Sequence, residues 1–191
     1  MDKLFDMWAN RNPEWETKYE KQILKTFCDY GRGTTAFQDA RGKIFGAGYE
    51  ILILAYFIGL YNNGRKPLVA DTSKRKTLGQ PIKFWGNLDS KPGRKAYPSI
   101  RRYIFASLIA RSNVNLLDLD KGLILPKKIV DILMDTMEEY INWGLAFIAE
   151  KMEDNPNYFF KETAFLMIFL DLSPQEDTSS DNGNEEPESL D

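Results

Sequence analysis

Apolar residues recur along this chain at helical rather than strand spacing. Trp15, Tyr19, Ile23 and Phe27 stand four apart with Leu24 beside them, one stripe of a helix. Asn12 and Pro13 supply a cap and a first-turn proline, and Glu14 and Glu16 complement the positive helix end. Gly31 and Gly33 end it, and the polar TTAFQDARGK is a connection. From Phe45 to Asn62 the chain is apolar nearly all round, which predicts a central helix. Asn62-Asn63-Gly64 stops that helix and Pro67 prevents its resumption.

Residues 65–96 contain Pro67, Gly79, Pro81, Gly86, Pro92 and Gly93. A stretch so rich in helix breakers inside a small domain is usually functional or disordered; within it, Gln80 to Trp85 reads as a strand or an arm of a small hairpin. Pro98 then opens a helix in which Ile100, Tyr103, Ile104, Leu108 and Ile109 face inward. After the turn LLDLDKG, Pro126 starts a long helix to about Glu153, along which Ile129, Val130, Leu133, Met137, Tyr140, Ile141, Leu145 and Ile148 keep the helical period. Gly144 interrupts it at a cost of about 1 kcal/mol relative to alanine, which predicts a close helix crossing there. Asn155-Pro156 ends it, a last helix runs from Asn157 to Leu170, and Ser173-Pro174 opens an acidic tail. The expected fold is mainly α: a single-domain bundle of four to six helices over residues 1–172, with a basic insertion at 65–96 as a loop or small β-hairpin and a disordered acidic tail at 173–191.

Composition adjusts this picture little. At 191 residues, 43% hydrophobic and 13% aromatic, the chain can bury one core. The longest apolar run, Ile51 to Tyr61, is well short of the roughly 20 residues a membrane span needs. The opening MDKLFDMWANRNPEWE lacks the apolar region of a secretory signal. A cytoplasmic protein without membrane association is expected. The single cysteine, Cys28, sits among Leu24, Phe27 and Tyr30 and reads as a small buried hydrophobe.

Charge changes the picture more. Residues 173–191 hold seven acids and no base, whereas Arg65 to Arg102 holds eleven bases against Asp71 and Asp89. The net charge of −3 averages over two segregated regions. The bases Arg65, Lys66, Lys74, Arg75, Lys76, Lys83, Lys91, Arg94, Lys95, Arg101 and Arg102 are interleaved with Phe84, Trp85 and Tyr97. Cations in such surroundings can track a phosphate backbone while aromatic faces stack on bases. These bases and Trp85 are the candidate nucleic-acid contacts. A solvated loop, a loop meeting an acidic protein, and for Trp85 a core anchor are the plainer alternatives.

Catalytic chemistry finds less support. With no histidine and one cysteine, the chain has no Ser-His-Asp or Cys-His constellation and no tetrahedral zinc set. No phosphate-binding glycine loop is present. Asp118 and Asp120 could share a divalent cation, but solvated acids in a turn explain them as well. Glu16-Thr17-Lys18 matches the Glu-x-Lys fragment of metal-dependent nucleases, yet falls on an expected helix with no acidic strand before it. No catalytic residue, metal ligand or cofactor is assigned.

The order of segments carries a resemblance. ILILAYFIGLYNNGRKPL (51–68), GQPIKFW (79–85), FASLIARSNVNLL and MEEYINWGLAFIAEKM (137–152) resemble small accessory proteins encoded beside bacterial DNA phosphorothioation (Dnd) defence genes. Gly59, Arg65, Pro67, Pro81, Ile82, Trp85, Tyr140 and Gly144 match. The resemblance implies a non-enzymatic accessory subunit of a DNA-modification or anti-phage locus, with DNA and larger defence subunits as partners. The helical leader, longer basic insertion and acidic tail depart from it. They leave open whether the partner is DNA, a larger defence subunit, or both. Independently of the resemblance, Tyr158, Phe159, Phe160, Phe165, Leu166, Ile168 and Phe169 give the C-terminal helix more apolar surface than one core face requires, which is the expectation for a helix that docks onto a larger subunit.

Overall fold

A computed structural model describes residues 2–28, 44–87, 95–161 and 163–172. Within them the protein is mainly helical, with seven α-helices and one two-stranded ribbon. Five of the helices have eight residues or more: α1 (Asp2–Ala9), α3 (Gly48–Tyr61), α4 (Ile100–Arg111), α6 (Pro126–Asp154) and α7 (Ala164–Leu172). The other two, α2 (Lys25–Phe27) and α5 (Leu116–Asp120), are single turns.

The long α6 and the apolar α3 cross antiparallel at the centre. Glycines set how closely they pack. A Cβ on Gly59 would stand 3.0 Å from the Tyr140 carbonyl carbon, and one on Gly144 would stand 2.6 Å from that of Ala55. The crossing predicted from Gly144 is therefore present, with Gly59 as its counterpart. Pro126 occupies the first turn of α6, where its missing N–H costs nothing. Around this pair a single cluster of buried residues gathers Trp8, Trp15, Trp85, Tyr56 and Tyr140, all essentially inaccessible. Cys28 is buried among them, and burial first, then the charge of Glu50, pushes its thiol up to about 12.

Several expectations need correction. The helix expected from Pro13 onward begins instead with strand β1 (Glu14–Glu16), then a π-helical stretch (Glu20–Leu24) that runs into α2. Trp15, Tyr19, Ile23 and Phe27 are all buried as the stripe required, but a strand and a widened helix bury them. β1 pairs antiparallel with β2 (Arg75–Thr77), Glu14 opposite Thr77 and Glu16 opposite Arg75. The ribbon thus ties the basic stretch to the start of the chain. Gln80 to Trp85 forms a 3-10 turn at Ile82–Phe84 in place of a strand. On α4, Tyr103 is 67% exposed and Phe105 is the ring that turns inward, edge-on to Phe5 of α1. The leader helix α1 packs Leu4 and Trp8 into the core. The last helix starts later than expected, after a 3-10 turn at Tyr158–Phe160.

No helix among the described residues is long and apolar enough to cross a membrane. The acidic tail 173–191, the connection 29–43, Lys91 and Arg94 lie outside the described residues.

Candidate functional site

The basic stretch divides into a part laid against acids and a part that is not. Arg65 pairs with Glu139 of α6 at 2.6 Å and lies over the Tyr140 ring. Arg75 is half-buried, donating to the Val69 carbonyl at 2.6 Å and reaching Glu14 at 3.3 Å. Lys76 meets Glu20 at 2.7 Å, and Lys76 first, then Lys25, holds that carboxyl below its ordinary value. Lys74 stands 3.5 Å from Asp71. Exposed pairs of this kind contribute about 0–1 kcal/mol each, so they do little for stability. They do cancel charge that would otherwise face solvent.

A buried polar network positions this neutralised part. Glu16, only 5% exposed, accepts from the Val69 amide at 2.9 Å, from Asn142 Nδ2 at 2.9 Å, and from Lys18. Burial alone would raise the Glu16 carboxyl, but the bonds from Lys18, Val69 and Asn142 outweigh it and hold the group below its ordinary value. Asn142, fully buried on α6, also donates to the carbonyls of Lys66 and Pro67 at 3.2 and 2.9 Å. The chain leaving α3 is thereby strapped to α6. The strap borders a cleft of about 370 Å³ lined by Lys18, Lys66 and Lys74 above the Glu16 carboxylate. Glu16 and Lys18 do lie together, with Glu16 at the end of a strand. Its oxygens, however, are taken up by three donors of this chain, which makes it a structural carboxylate.

The remaining candidates lie elsewhere. Trp85 is fully buried, stacks on Tyr49 and donates from Nε1 to the Gln80 carbonyl. It anchors the core and offers no face to a base, which removes it from the candidate contacts. Lys83 lies over the Phe84 ring. Lys95, Arg101 and Arg102 gather at the head of α4, with Lys95 and Arg102 exposed and Arg101 partly so. Arg101 Nε donates to the Pro98 carbonyl at 3.0 Å. Burial first, then Arg102 alongside, pushes the Arg101 guanidinium down. Among the described residues no carboxylate lies within ion-pair distance of Lys66, Lys83, Lys95, Arg101 or Arg102. Lys66 and the head of α4 sit at opposite ends of α3, about 20 Å apart by helical rise. The ten predicted residues that are described do not converge on one surface; Lys91 and Arg94 lie outside the described residues.

The head of α4 borders an apolar groove of about 570 Å³. Ile53, Leu54 and Phe57 of α3 form one wall, Phe169 and Leu170 of α7 another, and Tyr97 with Ile100 close the end. Its one carboxylate, Glu50, is 6% exposed and accepts from the Gly46 amide and the Tyr97 hydroxyl, both at 2.7 Å. Burial first, then Glu50, raises the Tyr97 phenol, which stays protonated as the donor of that bond. On α7, Leu166, Met167 and Leu170 are 57%, 41% and 54% exposed; of the residues expected to form the apolar excess, Leu166 is exposed, whereas Phe159 and Ile168 are buried and Tyr158, Phe165 and Phe169 are partly buried against the core. Asp118, by contrast, occupies the first turn of the short α5, capped by Asn115. Among the described residues no three carboxylate or thiol groups come together as a metal site would need.

Two features escaped the sequence reading. Asn142 is a single polar residue between core positions Ile141 and Gly144, and only its break in the apolar pattern could have marked it. The groove is made by α3 and α7, more than a hundred residues apart, so no local pattern could show it.

No family model, no curated protein and no solved structure matches this chain. Six of the residues that carry the Dnd resemblance have structural roles here. Gly59, Gly144 and Tyr140 form the helix crossing, Ile82 and Trp85 fill the core, and Arg65 covers Tyr140.

Proposed function

We propose that this protein is a binding subunit that docks a larger protein in the groove between α3 and α7. The occupant is an apolar segment flanked by acidic residues. The observation that carries this reading is a carbon-lined groove with Phe169 and the 54% exposed Leu170 on one wall and Tyr97 and Ile100 at its end, on the stretch of chain that also carries Lys95, Arg101 and Arg102. Exposed apolar surface beside a charged rim is the composition of a docking site, and the rim fixes the sign of the partner's flank. The Dnd resemblance supports placing such a subunit in a DNA-modification or anti-phage locus, with a defence enzyme subunit as the docked protein. The test is recovery of the tagged protein from its native host beside a Leu166→Asp, Leu170→Asp variant of unchanged melting temperature. The reading expects a defined partner that the variant loses. A partner retained by the variant, or none recovered, overturns it.

A second reading has its own observation, the five cations that have no carboxylate partner among the described residues. These support direct contact with DNA phosphates, mainly by Lys95, Arg101 and Arg102. Anisotropy of a labelled duplex at low salt checks it: affinity should fall linearly with salt on logarithmic axes and drop in Lys95→Glu, Arg102→Glu. No binding at low salt removes this reading and leaves the first untouched.

A further inference from the structure

We propose that residues 173–191 of this chain dock in cis on the cation rim at the head of α4, formed by Lys95, Arg101 and Arg102. The last turn of α7 brings the segment there. Phe169 and Leu170 line the same groove as Tyr97 and Ile100. Residue 173 therefore follows directly from one wall of the groove, while Lys95 precedes the opposite end by two residues and Arg101 and Arg102 follow it. The nineteen residues from 173 to 191 span up to about 65 Å when extended, so reach does not limit the contact.

Reach does not select the site either, because Lys66 and Lys74 are also accessible to a tether of that length. Charge selects it. The segment carries Glu176, Asp177, Asp181, Glu185, Glu186, Glu188 and Asp191 with no base. At the other end of α3, Lys74, Arg75 and Lys76 are already paired with Asp71, Glu14 and Glu20, which leaves Lys66 there as a single cation against the three gathered at the head of α4. At the head of α4 no acid stands in the first turn. Arg101 and Arg102 face each other's charge and the positive end of the helix dipole, an arrangement that costs stability and that an anion relieves. The wrong-signed Glu50 lies on the groove floor, buried and hydrogen-bonded, so the acidic segment follows the rim. Tethering raises the effective concentration of the segment to the millimolar range, enough to populate a weak contact. The segment then occupies the place that an acidic flank or a phosphate of a partner needs.

The experiment uses the full chain and no partner, so its outcome is independent of what fills the groove. A nitroxide is attached at Ser189→Cys; Cys28, buried with its thiol pushed up to about 12, does not compete for the label. Paramagnetic broadening of backbone amides is read at about 0.1 M salt, where the Debye length is about 10 Å, and at about 1 M, where it is about 3 Å. The proposal expects broadening centred on residues 95–103 that disappears at high salt. It expects the same loss at low salt in Lys95→Glu, Arg102→Glu, two exposed positions, and persistence in Lys66→Glu, Lys74→Glu. Absence of broadening, broadening centred on residues 66–76, or indifference to the Lys95→Glu, Arg102→Glu pair overturns it.

Discussion

Replacing Gly144 by alanine tests the central crossing, because two well-known effects oppose each other there. In a helix exposed to solvent the change adds about 1 kcal/mol of stability through helix propensity. Here the new Cβ would sit 2.6 Å from the carbonyl carbon and 2.7 Å from the Cα of Ala55, and nearer still to its carbonyl oxygen. Carbon atoms prefer about 3.5–4.0 Å, so the shortfall is about 1 Å against main chain that cannot rotate away. Relief requires α3 and α6 to separate locally. A gap of 0.5–1 Å forfeits about a quarter to a half of each dispersion contact along the seam, and overpacking of this kind costs about 1–3 kcal/mol. Near the upper end of that range, the net after the propensity gain is about 2 kcal/mol of destabilisation. At about 2–4 °C per kcal/mol for a chain of this length, the melting point falls by about 4–8 °C. Thermal unfolding followed by far-UV circular dichroism measures it, and Ala55→Gly should not rescue, since the clash is with the backbone of residue 55. A melting temperature that stays level or rises in Gly144→Ala would refute the close crossing.

Two further predictions concern the polar groups around α6. Asn142→Ala leaves the Glu16 carboxylate and the Lys66 and Pro67 carbonyls short of a buried donor, at about 1–3 kcal/mol. Hydrogen exchange of the Val69 amide should speed up with the loss of stability, and an unchanged rate there would show that the strap does not depend on Asn142. Glu138 accepts from the Glu14 amide at 2.9 Å. Burial first, partly offset by that amide bond, then the charges of Glu14 and Asp135 against that of Arg75, raises its carboxyl from 4.5 to about 7. A raised folded value means that its contribution is complete below about pH 4.5 and is lost as pH rises through about 7. At about 1.4 kcal/mol for each unit of pH, discounted for partial exposure, ionisation costs about 2 kcal/mol. Glu138→Gln should therefore gain on the wild type between about pH 5 and pH 8 in urea unfolding, and a difference independent of pH refutes the assignment.

The helices α4 and α6 were readable because their cores repeat at the helical period, α3 because a run apolar nearly all round makes a central helix, and all three because proline, asparagine or glycine stands at an end. Gly144 was readable for the same reason, since a glycine inside a strong helix needs a neighbour's backbone. Residues 14–27 misled because one list of buried positions satisfies two conformations. Trp15, Tyr19, Ile23 and Phe27 are all buried, but what makes Glu14–Glu16 a strand is Arg75–Thr77, about sixty residues away. A pairing so distant overrides a local pattern. The Glu138 carboxylate, which takes the Glu14 amide, adds to it from still farther along the chain.

The same long-range pairing explains why a local count of charge could not locate a surface. Counted along the chain, Arg65 to Arg102 carries a large excess of bases. In space, apart from Asp71 beside Lys74, the acids that oppose its first half are Glu14, Glu20 and Glu139, none of which lies in that stretch. Arg65, Arg75 and Lys76 are spent on strapping the chain against β1 and α6, and Trp85 on filling the core. Lys95, Arg101 and Arg102 have no such acids set against them among the described residues, and they stand where the dipole of α4 makes positive charge costly. Cations held at such a cost beside an apolar groove are the part of the basic stretch that folding does not explain. The proposed partner, whether another molecule or residues 173–191 of this chain, is therefore to be tested first at the head of α4.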